Sequence, residues 1–166
     1  MKKFKIFFAG TILLLSIFAA TAFKTSAPGH SANGQGSLTL NPGDISRHFA
    51  FHANTMPDGS VQGSGELTYT AGQLKIHFDI NCLTVGLDGK TATMSGVVTS
   101  VDGSSPVSGS VQPGNGCWFK VVDNGEGNNA APDQMTLLFS GASALPCGLN
   151  FSNALRPIEG GNIQVK

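Results

Sequence analysis

The sequence predicts an all-β fold, an antiparallel meander of short strands. Three observations carry this. Apolar and polar residues alternate with a period of two in several runs. Tight-turn pairs such as Asp58-Gly59 and Asp102-Gly103 separate those runs. After the first 22 residues, no stretch repeats apolar residues at i, i+3, i+4 and i+7 over three turns, so no long helix is expected. Connections of a few residues suit a meander closed as a small barrel, with a two-sheet β-sandwich as the alternative.

The first strand is expected near Ser37-Leu38-Thr39-Leu40, and Asn41-Pro42-Gly43-Asp44 turns the chain. Arg47, Phe49, Phe51 and Ala53 then alternate with His48, Ala50, His52 and Asn54. Met56-Pro57-Asp58-Gly59 ends this strand, because proline fixes φ and glycine accepts a positive φ. In the next strand, residues 61–70, Gly65, Leu67 and Tyr69 oppose Ser64, Glu66 and Thr68. The best alternation follows: Leu74, Ile76, Phe78, Ile80 and Cys82 on one face, with Lys75, His77, Asp79 and Asn81 on the other. One face is core and the other wet, as in an antiparallel sheet. Further strands are expected at 91–101, 107–111, 117–123, 135–140 and 162–166.

The amino terminus directs the chain out of the cytoplasm. Lys2, Lys3 and Lys5 precede an apolar run from Ile6 to Ala20, and Ala20 and Ala22 place small residues before a cut at Phe23. This is the three-part layout of a secretory signal, with an apolar core shorter than a membrane-spanning helix needs. The expected organisation is a signal peptide at 1–22, a flexible leader at 23–36 and one β-domain at 37–166. No membrane span is expected after cleavage, and the destination is the periplasm or the medium.

Charge narrows the partners. Three of the ten Lys+Arg leave with the signal, so 7 remain against 10 Asp+Glu, a net charge of −3. A mildly acidic chain without a basic cluster argues against nucleic acid. Cys82, Cys117 and Cys147 all lie beyond the signal, where a disulfide is expected. Cys82–Cys147 is the favoured pair and Cys117–Cys147 the alternative. There is no CxxC and no zinc-like His spacing.

Several stretches together resemble a group of small exported bacterial β-proteins of unknown function. They are Gly34-Gln35-Gly36-Ser37-Leu38, Phe49-Ala50-Phe51-His52-Ala53, Cys82-Leu83-Thr84-Val85, the loop 121–127, Ala131-Pro132-Asp133-Gln134 and the closing Gly161-Asn162-Ile163-Gln164-Val165. The resemblance implies a secreted β-domain and brings no activity with it.

Three candidate sites emerge. Strand parity puts His48, His52, Glu66, His77 and Asp79 on one wet surface, with Glu66 and His77 as ligand-binding candidates. His48 and His52 lie about 13 Å apart along a strand, too far to share an ion. Trp118 is the third ligand-binding candidate, as a stacking platform if its face is exposed. Asp123, Glu126 and Asp133 gather oxygen donors around glycines and are the candidate ligands for calcium, the one cofactor considered. The spacing departs from an EF-hand and equally suits a turn. With no GxSxG and no phosphate-cradling glycine loop before a helix, no catalytic residue is assigned. The expected function is a non-catalytic β-domain that binds a ligand or a cell-surface component. The alternatives are an extracytoplasmic hydrolase and a structural or adhesive module.

Overall fold

The computed structural model describes residues 29–39, 46–69, 74–103, 111–127, 129–149 and 154–166. The signal segment lies outside them, as does most of the strand expected at 107–111. Among the described residues there are ten strands and no helix. They are β1 (Ser31–Thr39), β2 (Ser46–Thr55), β3 (Val61–Tyr69), β4 (Leu74–Val85), β5 (Thr91–Asp102), β6 (Gly116–Val122), β7 (Gln134–Met135), β8 (Phe139–Gly141), β9 (Arg156–Pro157) and β10 (Gly160–Val165). All join one antiparallel sheet in the order β10-β1-β2-β3-β4-β5-β6-β7-β9, with β8 on β6 beside that path. The sheet curls into a half-barrel.

Period-two alternation does the work the sequence assigns to it. Phe49, Phe51, Leu67, Ile76, Phe78 and Phe119 bury their side chains inside the curl. Each contributes roughly 1.5–3 kcal/mol by leaving water. The Phe119 ring meets Phe51 at 5.2 Å and Phe78 at 5.7 Å, both edge-on, the favoured geometry for aromatic pairs.

The amino-terminal boundary differs from expectation. Strand β1 begins at Ser31, inside the segment that composition assigns to a leader. Its inward positions include Gly34 and Gly36, paired directly with Phe51 and Phe49. A Cβ on Gly34 would lie 2.9 Å from the Phe51 ring, and one on Gly36 would lie 3.0 Å from the Phe49 ring. The neighbouring strand supplies the aromatic bulk, so SANGQG shows no apolar alternation of its own. The single strand expected over 135–140 is instead two short ones, β7 and β8, both paired to β6.

Two bulges interrupt the β4–β5 ladder. His77 pairs with Ser100 and Phe78 with Val98, which leaves Thr99 over; Ile80 pairs with Gly96 and Cys82 with Ser95, which leaves Asn81 over. An extra residue reverses the side-chain parity beyond it. Cys82 therefore leaves the face of Leu74, Ile76, Phe78 and Ile80, where alternation placed it, and joins Ser95 on the outer face. Gly96 permits the close approach at this bulge, since a Cβ there would overlap the Asp79 carbonyl oxygen.

On that outer face Cys82 is bonded to Cys147, with the Cα atoms 5.8 Å apart. The bond ties residues 141–149 over β6. Cys117 is free and buried in the core, where desolvation pushes its thiol pKa up to about 12.

The β4–β5 turn is held by one carboxylate. Asp88 Oδ1 accepts the N–H of Lys90 at 3.0 Å and of Thr91 at 2.9 Å, while Oδ2 accepts the Thr91 hydroxyl at 2.6 Å. The Thr91 hydroxyl, then the two amides, lower the Asp88 pKa from 3.8 to about 2. A folded value below the unfolded one makes this stabilisation complete above about 3.8 and lost as pH falls through about 2. In an acid titration followed by NMR, the Lys90 and Thr91 amides are expected to move with a midpoint near 2. Asp88→Asn should abolish that movement, and a midpoint near 3.8 would contradict the account.

Candidate functional site

The outer face of β10-β1-β2-β3-β4-β5 carries a polar groove of about 730 Å³. Register builds it as two rows running across the strands. Gln164, Asn33, His52, Ser64 and Asp79 are successive partners in one row, and Asn162, Gln35, Ala50, Glu66 and His77 are partners in the next. Five inter-strand steps give the groove a span of about 24 Å. Thr99, the bulged residue of β5, lines its far end. Ala50 is the one small side chain in the second row, and its methyl group leaves the gap between Gln35 and Glu66.

Glu66 is the electrostatic centre of the β3–β4 half. Lys75 Nζ lies 2.9 Å and His77 Nδ1 3.6 Å from Glu66 Oε2, and Thr68 donates its hydroxyl to Oε1 at 3.3 Å. The Lys75 ammonium, bonded to the carboxylate, holds the Glu66 pKa below its usual value against a smaller opposing effect of desolvation. Glu66 is therefore ionised at neutral pH and accepts hydrogen bonds without donating any. Both groups of this ion pair are more than one third exposed, so water screens it and its net stabilisation is small.

The β10 end has a different support. Asn162 Nδ2 and Gln164 Nε2 both donate to Glu126 Oε1, each at 3.0 Å. Glu126 belongs to the loop after β6, so that loop lies against the outside of β10. The same loop holds the strand by its backbone. Asp133 Oδ2 accepts the N–H of Ile163 at 2.7 Å, and Asp123 Oδ2 accepts that of Val165 at 3.0 Å. Asp133 Oδ1 also takes the Asn124 N–H at 2.8 Å, and Asp123 Oδ1 takes the Gly125 N–H at 2.8 Å. Two carboxylates thus stand where a neighbouring strand would offer carbonyl oxygens.

The residues selected from sequence fall into three places. Glu66 and His77 are cross-strand partners in the groove, where His52 and Asp79 join them. His48 lies one row further along, opposite Thr68. Asp123 and Asp133 accept backbone N–H groups of β10 and pin it, while Glu126 accepts only the exposed side-chain amides of Asn162 and Gln164. Among the described residues no group of three or more His, Cys, Asp or Glu side chains is arranged to hold a metal ion. Trp118 is a correction. It is fully buried, with its ring 6.1 Å from that of Phe139, because β8 and the segment tied down by Cys147 cover this side of β6. Phe119 beside it is buried in the core, so neither ring offers a stacking face.

Asn33, Gln35, Asn162 and Gln164 form the half of the groove that sequence reasoning missed. Ile163 and Val165 alternate with Asn162 and Gln164, which puts these amides on an outer face. Nothing in the sequence shows that β10 returns to lie beside β1. The chain matches no protein-family model, no curated protein sequence and no solved structure.

Proposed function

We propose that this chain is an exported, non-catalytic binding module whose site is the outer-face groove. The observation that carries the reading is the convergence of polar side chains from six neighbouring strands on one long depression. Concave sites with convergent polar groups are where ligands bind. Export fits the amino-terminal signal and the Cys82–Cys147 bond, which belongs to an oxidising compartment such as the periplasm or the medium. The resemblance to small exported bacterial β-proteins points the same way.

In this reading the half-barrel is closed as a barrel. Only Ile158 and Glu159 separate β9 from β10, the two ends of the strand order, and Asp123 and Asp133 bridge the remaining seam. A hydrolase is the weaker reading. Glu66 is held ionised by Lys75, so it has no proton to give a leaving group at neutral pH.

The test is an amide-resolved NMR titration of the exported chain, its disulfide intact. The panel contains neutral oligosaccharides, short peptides, polyamines and calcium. At least one compound should shift the amides of Gln35, Ala50, Glu66 and Thr99 together. If no compound moves that set, the groove is not a binding site.

A further inference from the structure

We infer that the groove takes a neutral, hydroxyl-rich saccharide chain, oriented by carboxamides that Glu126 holds in place. This rests on the binding-module reading and names its ligand class. The first observation is the fixed orientation of the β10 amides. Asn162 and Gln164 both spend an N–H₂ hydrogen on Glu126 Oε1. A carboxamide carries its oxygen on the branch opposite its nitrogen, so Asn162 Oδ1 and Gln164 Oε1 are turned away from Glu126 as acceptors. Three strands away, on β3, Glu66 is an ionised acceptor. The groove therefore offers acceptors on β10 and on β3, with the carboxamide groups of Asn33 and Gln35 on β1 between them and the Ser64 hydroxyl on the strand of Glu66. Its ligand must bring many donors and some acceptors, spaced along its length. Hydroxyl groups on linked sugar rings do both.

Charge and shape remove the other classes. Lys75 already neutralises Glu66, which leaves Asp79 as the one other carboxylate of the lining, too little for a polyamine. A phosphate-bearing ligand would need a basic cluster, and the lining contains neither Lys nor Arg. A peptide adding as a strand would need the free edge of β10, but Asp123 and Asp133 occupy the N–H groups of Val165 and Ile163. The span of about 24 Å, six strands wide, accommodates several linked rings rather than a single one. The lining lacks Trp and Tyr, and its Phe51 and Phe78 are buried in the core, so hydrogen bonds at the ring edges carry recognition.

Glu126 is on this account a positioning residue. Glu126→Ala frees both amides to rotate, whereas Glu126→Gln keeps an oxygen that can accept from them.

The experiment is calorimetric titration of the exported chain with cellohexaose, xylohexaose and maltohexaose, and with spermidine and a neutral hexapeptide as controls. NMR shifts at Gln35, Ala50 and Glu66 locate any binding. At least one hexasaccharide should bind in the groove, at least tenfold more tightly than its monosaccharide. Glu126→Ala should weaken it about tenfold at an unchanged melting temperature, and Glu126→Gln should restore affinity to within about twofold. Spermidine or the peptide shifting the groove amides, with all three hexasaccharides inert, would overturn the saccharide assignment and leave the binding-module reading standing. No groove shift with any compound would overturn both. A hexasaccharide that binds equally to wild type and Glu126→Ala would remove the role of Glu126.

Discussion

The Cys82→Ala/Cys147→Ala double variant is expected to melt on the order of 10 °C or more below the native chain. The bond joins residues 65 apart in sequence, and closing a loop of that length stabilises by about 4 kcal/mol in the chain-entropy account. Local packing adds to the effect. Cys147 is buried beside Ser95, whose strand partner Trp118 is fully buried. Cys117 offers no substitute partner, because its thiol faces the core while Cys147 sits on the outer face beside Ser95. Thermal melts with and without reductant check this in the native chain. A shift below about 3 °C would mean that the segment holds to β6 without the covalent tie.

Asp133→Ala is expected to destabilise by about 2–4 kcal/mol, the sum of one buried amide, Ile163, and one part-buried amide, Asn124, left without an acceptor. Asp133 is only 6% exposed and takes the N–H groups of Asn124 and Ile163 on its two oxygens. Asp133→Asn should cost less, about 2 kcal/mol, because one oxygen remains while its new N–H₂ faces a backbone N–H. Chemical denaturation gives the size of the effect. Hydrogen exchange gives its place: the Ile163 amide should lose protection first, with Phe78 and Ile76 in the sheet centre unaffected. Uniform loss of protection would show that the seam is not a separate element.

The outer face of β2, β3 and β4 was legible in the sequence because Phe49, Phe51, Leu67, Ile76 and Phe78 alternate cleanly with polar residues. The disulfide pair was legible too, though not its face. Cys82 obeys the alternation up to Ile80, and only the bulge at Asn81 turns it outward, a backbone event that side-chain pattern does not reveal. Strand β1 was hidden for a different reason. Its inward glycines are complementary to phenylalanines on β2, so its strand signal resides in a neighbour. The candidate calcium loop shows its oxygen donors in the sequence. What the pattern could not show is that Asp123 and Asp133 face a strand edge some 30–40 residues further on, whose N–H groups they accept.

Ala50 gives the most direct test of the groove as the binding site. Its exposed methyl group lies mid-groove between Gln35 and Glu66, so Ala50→Trp should fill the depression without touching the core. The measurement is the amide NMR titration repeated on this variant with whichever panel compound binds wild type. The account predicts a native-like spectrum away from the groove, an unchanged melting temperature and loss of the ligand-induced shifts. A folded Ala50→Trp protein that binds as wild type does would contradict it.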